Sequence, residues 1–459
     1  MTDLVIDNPY TLEEALRRPL AGEAEVDGML DRAASAARAF GTTSVGERVA
    51  LCRRAIDAMT ADTERIARDL ATMMGKPLEQ GRGEVATMAQ RADHMMAIAA
   101  ESLADIEVPG RAGFERRIER VPLGVVFNMP AWNYPLLTCV NAVVPAVLAG
   151  NAVVLKHSTR TALCGEHFAT AFDQAGAPEG LFQALHCDHA TAARVAGDDR
   201  VGYVAFTGSV SGGRAVYGAV ARTQFSDVGL ELGGKDAAYV ATDANLEQAA
   251  AGLVDGACYN AGQSCCGVER VYVHRSRYDD FVSAALATMK ELTLGDPMTA
   301  VSMGPMAQPG APAFLAGQVA AAQAAGAKVL CGGQAVTIDG RGRFFQPTLL
   351  THVTHELDVM RTESFGPIVP VMAVDDDDQA LALMNDSDLG LTASVWTTDR
   401  DRAATLAASL AVGTVYMNQC DVLDPALPWT GVKDSGKGST LSPLGFHHLT
   451  RPRSLFFKL

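Results

Sequence analysis

The sequence predicts an α/β protein with two doubly wound parallel-sheet domains and a small bridging β element that serves oligomerisation. Three observations predict it. Strand-like and helix-like segments alternate from residue 124 to about 240. A second alternating run starts near residue 267. Between an N-terminal helical region and the first run, residues 114–121 alternate in the manner of an exposed edge strand. Alternating strand and helix is the pattern of a parallel sheet covered on both faces.

The elements follow in order. Residues 28–105 read as helices, because GERVALCRRAIDAM and EVATMAQRADHMMAIAA place apolar residues at helical spacing. Pro109-Gly110 ends that region, and FERRIERV follows with Arg and Glu outward. The first run reads strand 124–127, helix 135–149, strand 152–155, helix 161–175, helix 190–196, strand 202–206, a helix after Gly212 and strand 237–240. A helical stretch over 246–259 leads into the second run. That run reads strand 268–273, helices 278–291 and 314–325, and strands 328–331, 349–351, 368–373 and 393–397. The acidic run 375–378 is expected to cap the helix 380–384, since a helix N-terminus favours carboxylates. The last residues, LFFKL, are too apolar for a free tail and are expected to join a partner's sheet.

Composition bounds the function. The chain has 459 residues, 48% hydrophobic and 20% charged, which excludes disorder, collagen and coiled coil as descriptions of the whole. The formal charge is 38 − 53 = −15, so nucleic acid and anionic membrane are not expected as partners. Nine scattered cysteines without a CxxC pair read as free thiols in a reducing cytoplasm. The first residues lack the apolar core of a signal peptide. Residues 134–155 approach membrane length, but Asn141, Pro145 and Gly150-Asn151 interrupt them.

Several segments carry chemistry. Cys265, in GQSCC, stands on a turn just after a helical run and is placed as a nucleophile. Glu231 ends an apolar strand in VGLELGGKD, where burial would raise its pKa and suit it to general-base work. Asn133, between Trp132 and Tyr134, offers the rigid amide donor that an oxyanion hole needs. FTGSVSGG at 206–213 follows a strand and opens a helix, the setting of an anion site. GVKDSGKG at 431–438 misses the P-loop pattern, because Gly438 stands where Ser or Thr would bind magnesium. His186-Cys187-Asp188-His189 reads as a polar turn, with no metal site expected.

Together these pieces resemble the aldehyde dehydrogenase superfamily. The matching segments are PAWNYP at 130–135, AGNAVVLK at 149–156, FTGS at 206–209, ELGGK at 231–235, NAGQSC at 260–265, ESFGP at 363–367 and PWTGVKDSGKG at 428–438. The resemblance runs from Asn8-Pro9 to the end of the chain. It implies that Cys265 is the nucleophile, Glu231 the general base, and Asn133 the side-chain donor of the oxyanion hole. It implies NAD or NADP as cofactor, held by Trp132, Lys156, Thr159, Gly208, Ser209, Glu363 and Phe365. It implies a substrate tunnel lined by Tyr134, Thr138, Asn141, Ser264, Cys266, Leu423 and Trp429.

Domain limits by the same resemblance are 1–103 with 124–233 for the cofactor, 234–446 for catalysis, and 104–123 with 447–459 for oligomerisation. A homodimer or homotetramer is the expected assembly, and a small aldehyde the partner. Departures from the family pattern bear on detail. His157 replaces the usual proline after the lysine and reads as a packing change. Thr159 stands where members preferring NAD carry a glutamate, and with Arg160 beside it NADP is expected to be accepted. Asn141 replaces the arginine of members that take succinate semialdehyde, so a neutral aldehyde is expected.

Three rival readings differ in what they require. A CoA-acylating enzyme passes the thioester to CoA, and by resemblance often lacks the glutamate. A cysteine hydrolase needs a histidine beside Cys265. A non-catalytic structural or binding role predicts loss of Cys265, Glu231 or Asn133, and all three are present.

Overall fold

The structure, a computed structural model, describes residues 3–459. Two parallel sheets organise it. The first has six strands in the order Gly436–Lys437, Asp227–Glu231, Val201–Thr207, Val125–Met129, Ala152–Leu155, Phe182–Ala184, all parallel except the short first edge. The second has seven, in the order Lys328–Cys331, Thr348–Thr351, Ile368–Val374, Val268–His274, Asp236–Val240, Thr392–Trp396, Thr414–Met417. Helices cover both faces, so the central strands read as unbroken apolar runs. Val125, Val126 and Phe127 are buried, as are Val271, Tyr272 and Val273.

Strand order in the first sheet reverses between Val125–Met129 and Val201–Thr207. Open α/β sheets bind ligands at the carboxyl ends of strands at such a switch. Here those ends lead into Pro130–Asn133 and into Gly208-Ser209. The membrane-length stretch becomes the buried helix Pro135–Leu148, a turn and the strand Ala152–Leu155. Among the described residues no helix is long and apolar enough to cross a membrane.

Asn151 joins three parts of the first domain. Its Oδ1 accepts the N–H groups of Leu123 and Gly124, at 2.7 and 3.0 Å. Its Nδ2 donates to Ala146 O at 3.2 Å and to Leu449 O at 2.9 Å. Gly150 before it has φ 92°, a left-handed turn that glycine adopts without strain.

The acidic run does cap a helix. Asp376 Oδ1 accepts Gln379 N–H at 2.8 Å at the start of Asp377–Asn385. Other details differ from the sequence reading. Strands Phe182–Ala184 and Thr414–Met417 are short edges with mixed burial, too weak in pattern to read. Residues 429–446 were expected in the second domain and 447–449 in the oligomerisation element. Instead Trp429, Leu441, Phe446 and Leu449 pack into the first core, and Gly436–Lys437 pairs with Leu230-Glu231. A two-residue strand carries no periodicity of its own, so only tertiary pairing reveals it. The C-terminal strand Thr450–Lys458 runs antiparallel to Phe114–Pro122, which also holds Ile106–Glu107. Its outer residues Phe456 and Phe457 remain exposed.

Asn151→Ala should strand two N–H groups and the Leu449 carbonyl. Each buried polar group left unpaired costs about 1–3 kcal/mol. The expected outcome is a fall of roughly 5 °C or more in apparent Tm by calorimetry, with Asn151→Asp intermediate because it keeps the acceptor.

Candidate active site

Cys265 sits at the end of a strained turn. The helix Leu246–Cys258 ends, and Asn260, Ala261 and Gly262 follow with φ of 53°, 58° and 70°. Two left-handed non-glycine residues in a row cost of order 1–3 kcal/mol each, so something must hold them. Asn260 Nδ2 donates to Asn133 O at 2.9 Å and to Gln263 O at 3.2 Å. Gln263 Nε2 donates back to Asn260 O at 3.0 Å, and its Oε1 accepts Ala307 N–H at 2.9 Å. Gly262 is also required by space, since a Cβ there would lie 2.3 Å from Gly366 C. The motif around the thiol is thus a self-bonded turn.

Cys266 faces elsewhere. Its Sγ donates to Asp421 Oδ1 at 3.0 Å, which also accepts Ser264 Oγ at 2.7 Å. Its contact with the Cys265 thiol, followed by burial, pushes the Cys266 thiol well above its ordinary range. Burial raises Asp421 to about 6.

Glu231 ends its strand between two cavities. One is a large cleft of about 660 Å³ that Cys265 and Asn133 also line. The other is a chamber of about 30 Å³ lined by Thr138, Asn141, Ser439 and Thr440. Burial pushes the Glu231 carboxyl above its ordinary 4.5, against hydrogen bonds from the Thr440 and Thr207 hydroxyls and the charge of Arg91.

Asn133 has a fixed backbone and a free amide. Its carbonyl accepts Lys76 Nζ at 3.0 Å and Asn260 Nδ2 at 2.9 Å. Lys76 is paired with buried Glu84, whose Oε1 accepts Leu136 N–H at 2.8 Å. The Asn133 Nδ2 is buried and has no partner. A pre-aimed, unsatisfied donor beside a thiol is what a developing oxyanion requires.

The rest of the large cleft suits a dinucleotide. At one end lie Lys156, Ser158 and His189. Lys156 is buried and makes no ion pair among the described residues, so a ligand is left to satisfy it. Ser209 caps the helix Val210–Thr223 by accepting Gly212 N–H at 3.1 Å, next to Gly208. At the other end Trp132 and Phe365 meet edge to face at 5.5 Å, beside Glu363. Glu363 Oε1 accepts Gly234 N–H at 3.1 Å, and burial lifts its carboxyl to about 8.

ELGGK and ESFGP are physically linked. Lys235 Nζ donates to Glu269 Oε2 at 2.6 Å and to Ser364 Oγ at 3.1 Å. Glu269 in turn accepts the N–H groups of Ser364 and Phe365 at 2.7 and 2.8 Å. A Cβ on Gly234 would lie 2.5 Å from Cys265 O.

Some expected residues fall elsewhere. Thr159 is exposed and does not line the cleft; its neighbour Ser158 does. Arg160 faces away from it. Its Nε donates to Met73 O at 2.6 Å and its guanidinium pairs with Asp7, which also holds Arg343. His157 is a packing residue, bonded to Pro135 O and Thr161 Oγ1 at 3.1 Å each and held neutral by burial, near 4. His186 pairs with Glu166, and Asp188 caps the helix His189–Ala196.

The expected tunnel residues divide. Thr138 and Asn141 line the small chamber, Ser264 and Cys266 bind Asp421, and Tyr134 lies under Lys76 at 4.2 Å. Leu423 and Trp429 pack on the first core. The wall at Asn141 is not neutral, because Arg91 Nη1 donates to Asn141 Oδ1 at 3.2 Å. Arg91, Lys76, Glu84, Glu269, Asp421 and Thr440 escaped the sequence reading. Only Thr440, two residues past PWTGVKDSGKG, and Glu269, four past NAGQSC, lay near a motif.

The comparisons agree with this geometry. The model of the aldehyde dehydrogenase family matches residues 2–455. An aldehyde dehydrogenase of Paenarthrobacter nicotinovorans is 35% identical over 436 residues, covering 94% of each chain. A succinate semialdehyde dehydrogenase [NAD(P)+] of Escherichia coli (strain K12) is 34% identical, covering 97% of this chain and 96% of its own. The crystal structure of lactaldehyde dehydrogenase from Escherichia coli superposes with a TM-score of 0.95 at 30% identity, covering 100% of this chain and 96% of that one. A thiol on a braced turn, a buried carboxyl and a free amide on one cleft therefore stand in a chain that belongs, over essentially its whole length, to the aldehyde dehydrogenase family.

Proposed function

We propose that this protein oxidises an aldehyde to a carboxylic acid with NAD+ or NADP+ as acceptor, through an acyl thioester on Cys265. The observation that carries this is the shared cleft, where the unpartnered Asn133 amide, the Cys265 thiol and the Glu231 carboxyl meet. The printed name of the Escherichia coli relative, with NAD(P)+ as acceptor, supports the cofactor.

The cofactor would lie along Lys156, Ser158, Gly208, Ser209, Glu363, Trp132 and Phe365. When bound, it supplies the hydride acceptor. The chain's residues do the rest. Cys265 sulfur attacks the aldehyde carbon, and its backbone N–H and Asn133 Nδ2 hold the oxyanion. One such donor is worth roughly 3 kcal/mol. Once the acyl thioester has formed, Glu231 takes a proton from water. That water attacks the acyl carbon, and the Cys265 sulfur leaves.

The presence of Glu231 on the cleft favours hydrolysis over transfer to CoA. Retention of Cys265, Glu231 and Asn133 disfavours a purely structural role. The exposed Phe456 and Phe457 on the C-terminal strand support a homodimer or homotetramer. Nine free cysteines support a cytoplasmic setting.

The nucleophile assignment predicts that Cys265→Ala abolishes NAD(P)H formation. Cys266→Ala should keep most turnover, and mass spectrometry of quenched enzyme should find the acyl adduct on Cys265.

Glu231→Gln should give a burst of NAD(P)H at 340 nm with little steady turnover. The wild-type steady rate should fall as pH drops through the Glu231 pKa, on an acid limb above 4.5, because only the carboxylate accepts the proton.

Beside Lys156 the cleft is lined by Ser158 and not by a glutamate, so NADP+ should be accepted without Arg160. Ser158→Glu should lower kcat/KM for NADP+ by about tenfold or more relative to NAD+, because a carboxylate there repels the 2′-phosphate.

A further inference from the structure

Arg91 is a buried cation without an anionic partner among the described residues. It lies on the helix Leu78–Ser102 and is 6% exposed. Its one side-chain hydrogen bond runs from Nη1 to Asn141 Oδ1 at 3.2 Å. Nε is covered and meets no acceptor. Nη2 makes no hydrogen bond within the described residues and is not sealed off.

Apart from Lys156, which lines the large cleft, the other buried cations among the described residues are matched. Lys76 meets Glu84, Lys235 meets Glu269, and Arg160 meets Asp7. Arg270 donates to the carbonyls of Lys235, Leu383 and Met384, and Arg48 to those of Leu148, Gly41 and Thr43. Burying a charge without a partner is costly, so an unmatched guanidinium marks a place where an anion arrives.

The position of Arg91 says which anion. Asn141, which braces it, lines the chamber beside Glu231. The groups whose charges reach Arg91 are Cys266, Glu231, Glu84 and Cys265. Glu84 is already bound to Lys76 and to Leu136 N–H, and Glu231 to Thr440 and Thr207. Across the thiols, Asp421 is engaged by Ser264 and Cys266 and would repel a second carboxylate. An anionic group on the substrate is therefore driven away from Asp421 and toward Asn141.

We propose that Arg91, braced by Asn141, is a specificity-determining residue that holds a carboxylate at the end of the aldehyde substrate remote from the reacting carbon. This rests on the reading of Cys265 as the nucleophile. The substrate class is then a short semialdehyde of a dicarboxylic acid. Its carboxylate accepts charge-assisted hydrogen bonds from the free guanidinium N–H groups, and its aldehyde carbon faces the thiol. No covalent step is added to the reaction.

The experiment compares succinate semialdehyde with butanal. The wild type should favour the carboxylated aldehyde by tenfold or more in kcat/KM. Arg91→Gln should cut that ratio by thirtyfold or more, with the loss concentrated in KM for succinate semialdehyde. Arg91→Lys should recover part of it, since the charge remains but the fork does not. A second measurement needs no variant. Succinate should inhibit butanal oxidation by the wild type competitively with aldehyde, and butanol at equal concentration should not. Absence of both the preference and the succinate inhibition would overturn the proposal. So would an Arg91→Gln enzyme that loses kcat equally for both aldehydes and shifts the acid limb of the pH profile, because Arg91 would then act through Glu231. If the wild type oxidises neither aldehyde, the underlying reading fails instead. Calorimetric binding of succinate, present in the wild type and lost in Arg91→Gln, then decides the Arg91 site on its own.

Discussion

The carbonyl oxygen of Asn133 is the joint on which the site depends. It accepts one hydrogen bond from Lys76, on the N-terminal helical side, and one from Asn260, on the turn that carries the thiol. Strand, helix layer and thiol turn are therefore registered against each other at one atom. The consequence is chemical as well as structural. Its backbone is held from two sides, while its side-chain Nδ2 has no partner among the described residues. An unsatisfied buried donor is a standing cost to the fold.

A second buried network does for the cofactor side what that joint does for the thiol side. Glu269, on a strand of the second sheet, gathers Lys235 from ELGGK and two N–H groups from ESFGP. Buried ion pairs are weak contributors to stability, because desolvation offsets most of the attraction. Here the pair works as a locator. It sets Phe365, at φ 53°, against Trp132, and brings Glu363 beside Gly234. Strain at Phe365 and strain in the 260–262 turn sit side by side, since Gly262 packs against Gly366, and each is held by bonds to side chains that line neither end of the cleft.

Charge is sorted around the two cysteines by the same logic. Cys266 is tied to Asp421 and kept protonated, while Cys265 faces the cleft. Glu231 lies between the large cleft and the small chamber, with hydroxyls from Thr207 and Thr440 on it. Thr440 arrives there only because Gly436–Lys437 crosses to the first sheet, which is why residues 429–449 belong with the first core.

Much of this was legible in the sequence, and for definite reasons. Central strands buried on both faces leave long apolar runs, so both sheets and most helices could be read from periodicity alone. Cys265, Glu231 and Asn133 could be read because each sits at an element end inside a compact motif, where chemistry and backbone geometry constrain neighbouring residues together. Residues that act across long sequence distances left no such trace. Glu84 lies 52 residues from Leu136 and Arg91 lies 50 from Asn141, and Asp421 is 157 from Ser264. Their side chains look like ordinary helix or loop charges until packing removes the water around them. Arg160 is the converse case. Next to the cofactor motif in sequence it promised a phosphate ligand, yet Asp7 and Met73 O claim it from the far side of the helix layer. Local pattern decides which elements form and where reactive groups can stand. Which charges meet, and which is left without a partner, is decided only when the sheets and helices close, because desolvation makes pairing matter and the fold alone sets which groups lose their water together.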